Sequence, residues 1–252
     1  LQVKSQSNLK ARFYVSASGS SGTLAAGDYL KDKLGSKITV VEASECPTLL
    51  RNGYGEHNIQ GIGDKHVPLI HNVMNTDFVV GVSDKATNNL NILFNSEIGH
   101  DYLTERKGLE RDLVEKLPEF GFSALANIIA SIKLCKYMRL GPDDAIITVA
   151  TDGADLYLSE LEKAKETFPG VYDETACGEI FGEHLNGIAT DEILELSQIE
   201  KERIFNLGYY TWVEQQGIDL DNFEARKDKE YWDAHYKHML SLDEKIDTFN
   251  SL

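Results

Sequence analysis

The sequence is short of cysteine, of proline and of positive charge, and each shortage excludes something. Its 252 residues hold three cysteines, Cys46, Cys135 and Cys177, an odd number at wide spacing. That pattern builds neither a disulfide framework nor a CxxC metal knuckle, so a reducing, cytoplasmic setting is expected. With five prolines and no low-complexity stretch, no linker divides the chain. Basic residues number 25 against 41 acidic ones, a formal charge of -16. That field repels phosphate backbones, and no basic cluster offsets it, so no nucleic-acid partner is expected. No apolar run approaches the roughly 20 residues that span a bilayer, and no basic-then-apolar leader opens the chain, so no membrane partner is expected either. The first residue is Leu1, which fits processing or a piece of a longer protein.

What is present has the balance of a globular protein, 42% hydrophobic and 26% charged. Arg12 to Ala17 reads as a short buried strand running into Ser18, Gly19, Ser20, Ser21, Gly22 and Thr23. Leu24, Ala25, Ala26, Tyr29, Leu30 and Leu34 then mark a helix that Gly35 stops, and Ile38 to Val41 a second strand. Strand, glycine-rich turn, helix and strand within about 30 residues are the βαβ signature of a parallel sheet. Cys46 to Asn75 lacks sustained periodicity and reads as a long ordered loop with short helical turns. Phe78 to Val82 resumes a buried strand, with Ser83 or Asp84 to cap the helix through Leu90, Leu93 and Phe94. Ser123 to Leu140 is strongly helical, ended by Gly141 and Pro142, and Cys135 reads there as an inert core thiol. Ala145 to Ala150 is a further apolar strand, breaking at Thr151, Asp152 and Gly153 before a helix through Leu156, Leu158 and Leu161. Beyond about Pro169, acidic helices with aromatic residues replace the alternation and no strand-like run is visible. The expected fold is therefore α/β, a three-layer sandwich around a mostly parallel sheet, with a helical C-terminal extension.

Gly19-Ser20-Ser21-Gly22-Thr23 stands between a strand and a helix. Backbone N–H groups, hydroxyls and the positive helix end at such a turn suit a phosphate dianion. A tight βα turn that needs small residues for packing fits the same pentapeptide. It lacks the lysine of a P-loop and does not spell GxGxxG. Gly61-Ile62-Gly63-Asp64-Lys65-His66 misses the dinucleotide fingerprint and its strand-helix context. Spacings of nine and five residues among His57, His66 and His71 are not those of a helix-face ligand pair, so structural hydrogen bonding is expected and no metal. Among charged neighbours, His235 and His238 read as solvated surface. Ser123 is either a helix N-cap or a hydroxyl presented at the carboxyl edge of the sheet. Asp152 either caps the next helix or lines the same cleft.

In order, residues 8 to 165 resemble the fold type II family of pyridoxal phosphate enzymes, the group of cysteine synthase and cystathionine β-synthase. Gly19 to Thr23 is similar to the family's Gly-Thr-Gly-Gly-Thr phosphate turn, and Glu42 to Pro47 to its Glu-x-x-x-x-Pro pattern. Glu56-His57-Asn58-Ile59-Gln60-Gly61-Ile62-Gly63 resembles the His-Lys-Ile-Gln-Gly-Ile-Gly loop of cysteine synthases. Gly121-Phe122-Ser123-Ala124 resembles the turn whose serine meets the pyridine nitrogen.

The resemblance implies pyridoxal 5'-phosphate as cofactor, bound through Gly19, Ser20, Ser21, Gly22, Thr23 and Ser123, with Gly61, Ile62 and Gly63 beside an amino-acid substrate. It implies β-elimination or β-replacement chemistry, a neutral Ser123 hydroxyl leaving the ring nitrogen unprotonated, and a dimer or higher oligomer. An acid at Asp152 departs from the family's Pro-Ser pattern, which leaves Ser123 and Asp152 as alternative partners of that nitrogen. The family's Schiff-base lysine segment and Ser/Thr-x-Gly-Asn loop do not occur; only Lys4 and Lys10 precede Gly19. Residues 1–169 then correspond to the C-terminal part of the cofactor-binding large domain and 170–252 to a helical extension packed on it. The lysine is expected from an amino-terminal companion polypeptide. The alternatives are the pyridoxal phosphate subunit of an amino-keto acid thiolase, or a non-catalytic regulatory module that kept the fold.

Overall fold

The structure, a computed structural model, describes residues 9–63 and 65–251. Lys4, Asp64 and Leu252 lie outside the described residues. Strands β1 (Lys10–Ala17), β2 (Lys37–Ala43), β3 (Phe78–Val82), β4 (Asp144–Thr148) and β5 (Ile193–Glu195) form one sheet in the order β4-β1-β2-β3-β5. The first four pair in parallel and β5 is antiparallel to β3. The expected α/β fold with a mostly parallel sheet is found.

Side chains alternate across a strand, and here both faces are apolar because both are covered. Phe13, Val15, Val41, Phe78 and Val80 enter one core with helices α3 (Asp84–Phe94), α4 (Phe122–Met138) and α6 (Glu174–Phe181). Ile38, Val40 and Val79 point the other way, toward Leu24 at the start of α1 (Ala25–Leu34) and toward α7 (Gln198–Tyr209) and α8 (Leu220–Ala225). Burying one such side chain is worth roughly 1.5–3 kcal/mol. Gly35, at φ 71°, ends α1, and Ser83 caps α3 by accepting from the Ala86 amide.

Four expectations need correction. A strand does occur beyond Pro169: β5 is three residues long, too short to show a period, and lies along β3 because Ile193, Leu194 and Glu195 match Val80, Val79 and Phe78. Cys135 is exposed; the inward place on its helix is held by Lys133, whose Nζ donates to the Gly81 carbonyl at 2.9 Å and meets Asp191 at 3.0 Å. Helix α4 stops before Gly141, at Arg139 in the left-handed region (φ 51°). The last parallel strand, β4, runs Asp144–Thr148 rather than Ala145 to Ala150; it is half-buried as far as Ile147 and exposed at Thr148, with a hydrogen-bonded neighbour on one side only among the described residues.

Candidate functional site

A cavity of about 220 Å³ opens at the carboxyl ends of β1 and β4, where open parallel sheets place their ligands. One wall is the turn after β1. Ser18 continues the ladder with its amide on the Val41 carbonyl (3.0 Å), and its hydroxyl stands 3.0 Å from that of Ser21. Ser21 takes the left-handed conformation, φ 69°, which curls the turn. The Ser16 hydroxyl donates to Thr23 Oγ1 at 2.7 Å and the Tyr14 phenol to the Thr23 carbonyl at 2.6 Å. Burial raises the Tyr14 pKa, which keeps that donor protonated. Gly19, Ser20, Ser21, Gly22 and Thr23 all line the cavity, and α1 begins just beyond them, so its positive end stands at the turn.

The loop 57–63 crosses this turn at close range. A Cβ on Gly19 would meet the Gly61 carbonyl oxygen at 2.8 Å, so the two segments approach only because residue 19 is glycine. The Gly63 amide donates to the Ser18 carbonyl at 2.7 Å and fixes the crossing. Asp84 anchors the loop from behind, accepting from the amides of Asn58 (2.6 Å) and Ile59 (3.2 Å). Gln60, Gly61 and Ile62 face the cavity. Gly63 does not line it; at φ 77° it sits behind, where a Cβ would collide with the His57 ring.

The opposite wall joins the start of α4 to the segment after β4. Gly121, in extended backbone, is the helix N-cap, so Ser123 is not. Its hydroxyl lies 2.6 Å from that of Thr151. Thr151 donates to Asp152 Oδ1 at 2.8 Å, and the Tyr157 phenol donates to Asp152 Oδ2. Burial, with this hydrogen bond, pushes the Tyr157 pKa up to about 12. The Gly121 amide donates to the Asp152 carbonyl at 2.7 Å, and a Cβ on Gly121 would strike Asp152 Oδ1 at 2.8 Å. One turn along α4, Asn127 donates to the Val149 carbonyl at 3.0 Å, while its buried Oδ1 has no partner.

The cavity thus gathers Gly19, Ser20, Ser21, Gly22, Thr23, Gly61, Ile62 and Ser123, and leaves Gly63 outside its lining. Asp152 faces it rather than capping a helix. Gln60, Asn127 and Thr151 were not singled out from sequence. Asn127 carried a usable signal, four residues after Ser123 on one helix face. Among the described residues, Asp152 is the charged group that lines the cavity, no lysine lines it, and no cluster of three metal-ligating side chains occurs.

No family model matches the sequence. Cysteine synthase B of Campylobacter jejuni subsp. jejuni is 31% identical over 148 residues, which are 58% of this chain and 42% of that protein. A hydrogen sulfide-producing enzyme of Fusobacterium nucleatum superposes with a TM-score of 0.50 at 23% identity, covering 78% of this chain and 48% of its own. An O-acetyl serine sulfhydrylase of Entamoeba histolytica gives 0.50 at 20% identity, covering 70% and 47%. The solved structures show the shared fold, and the chain spans about half the length of the relatives it matches. The resemblance to fold type II pyridoxal phosphate enzymes is borne out.

Proposed function

We propose that this chain is the phosphate-gripping and ring-gripping part of a pyridoxal phosphate-dependent lyase or synthase that acts on an amino acid by β-elimination or β-replacement. The observation that supports the reading is that the Gly19–Thr23 turn and Ser123 line one and the same cavity. The residues fit the cofactor: hydroxyls and a helix N-terminus suit its phosphate, Gly19 leaves room at the turn, and the unpartnered Asn127 Oδ1 offers an acceptor to a polar substituent. When bound, pyridoxal phosphate supplies the electron sink for chemistry at the amino acid. Ser20, Ser21, Gly22 and Thr23 hold the phosphate, Ser123 orients the ring, and Gly61 and Ile62 border the substrate.

The amine that would attach the cofactor comes from another segment, an amino-terminal companion polypeptide. The half-buried edge strand β4 supports this, as do Leu156 and Leu158, 68% and 61% exposed just past the cavity mouth. Residues 170–252 serve as an extension of the large domain formed by 1–169.

Gly19→Ala should weaken pyridoxal phosphate binding about tenfold or more by calorimetry, because the added methyl pushes the two loops apart. Equal affinity in the variant would remove the turn from the site. Supplying the companion polypeptide should then produce a visible absorbance band and turnover of an amino acid. Binding without either outcome would favour the non-catalytic module.

A further inference from the structure

The hydrogen bonds around Ser123 fix which way its proton points. A hydroxyl has one proton, and a carboxylate only accepts. Thr151 spends its proton on Asp152 Oδ1, at 2.8 Å. Tyr157 donates to the other carboxylate oxygen, and its phenol is held protonated. Thr151 therefore has only lone pairs left for Ser123, 2.6 Å away, and Ser123 must be the donor of that bond. What Ser123 still turns toward the cavity is an acceptor. Cavity-facing Asp152 adds a negative charge next to this chain of hydroxyls.

We infer that the relay Tyr157–Asp152–Thr151–Ser123 presents a hydrogen-bond acceptor, backed by a carboxylate, to the ring nitrogen of a bound pyridoxal-type cofactor, and so selects the protonated pyridinium form. This rests on the proposed function. It reverses the expectation that a neutral serine hydroxyl leaves the nitrogen unprotonated: a serine free to rotate can donate to that nitrogen, whereas a serine whose proton is committed to Thr151 can only receive from it. A protonated ring withdraws electrons more strongly, which favours reactions needing a longer-lived negative charge on the substrate carbon. Thr151 and Asp152 act through Ser123 and are positioning residues. Gly121 belongs to the same device, since a side chain there would strike Asp152 Oδ1.

The test uses pyridoxine 5'-phosphate labelled with nitrogen-15 in the ring, which carries ring and phosphate but no aldehyde to react with surface lysines. Phosphorus NMR reports whether it binds, and the nitrogen-15 shift followed against pH reports the ring proton. On the wild-type chain, the midpoint of the ring titration should lie above that of the free probe by about one pH unit, tenfold in the protonation equilibrium. Thr151→Val keeps the shape and frees the Ser123 proton, so the midpoint should fall to the free value or below it, and Thr151→Ser should restore it. Asp152→Asn should lower it as well: with Tyr157 on the amide oxygen, the amide nitrogen faces Thr151 as a donor and reverses the relay. Bound phosphate with a midpoint at or below the free value, or one unmoved by Thr151→Val, overturns the inference and leaves the function standing. No phosphorus response at all overturns both.

Discussion

The two edges of the sheet are built differently. Beside β3 the edge is closed: β5 adds its short ladder, the Gly81 amide donates to the Glu192 carbonyl at 2.9 Å, and Arg51 and Ser44 both reach the Glu192 carboxylate. Beneath it Glu42, almost fully buried, accepts from the amides of Leu49 (2.9 Å) and Leu50 (2.8 Å), at the start of the short helix α2 (Thr48–Arg51). Beside β1 the edge is β4, half-buried, with the exposed Arg12–Asp144 pair as its outer tie. The difference is between an edge that this chain covers with its own residues and one that it leaves open among the described residues. The cavity lies on the open side, which under the proposed function is also where a companion would dock.

The largest break in that contrast comes from Phe205→Ala. Phe205 is 1% exposed, its ring centroid 4.7 Å from that of Phe223 with the planes tilted by 50°, in the core that holds Val79 of β3. The substitution should cost about 3–5 kcal/mol, read from the shift in urea midpoint. Next is Glu42. Burial pushes its carboxyl up to about 7 from an ordinary 4.5, against the pull of the two amides. The folded state therefore prefers the protonated acid. Its contribution is full below about pH 4.5 and is lost as pH rises to about 7, by about 3 kcal/mol. The stability of wild type minus that of Glu42→Gln should fall across that window, and a flat difference would place the carboxyl back in the ordinary range. The smallest effect belongs to the open edge. Arg12→Ala should change the urea midpoint barely or not at all, and added salt should erase what remains.

Legibility from sequence divided along the same line as the packing. β1, β2 and β3 were readable because strands covered on both faces are near-continuous apolar runs, and Gly35 and Ser83 carried local capping chemistry that needs no tertiary context. The Gly19–Thr23 turn was readable for the same reason. β5 was not, because its placement follows from its register on β3 and not from its own three residues. Lys133 broke the helix-face reading of α4: its long stem lies buried while its ammonium reaches a strand carbonyl, which a hydropathy pattern assigns to solvent. Thr151 was missed because its importance lies in two partners, Ser123 and Asp152, and the nearer one in space is far away in sequence.

The strand order has one more consequence, concerning time. β1 lies next to β4, and Thr148 Oγ1 donates to the Val15 carbonyl across 133 residues at 2.7 Å. The first wall of the cavity precedes the second by about a hundred residues and is tied to it only when that distant strand pairs, and closing so long a loop is a slow event. A nascent chain halted before Thr151 would hold the turn and Ser123 without Thr151 and Asp152, which complete the opposite wall. Ligand capture during refolding would then mark the arrival of the last parallel strand and not the collapse that precedes it.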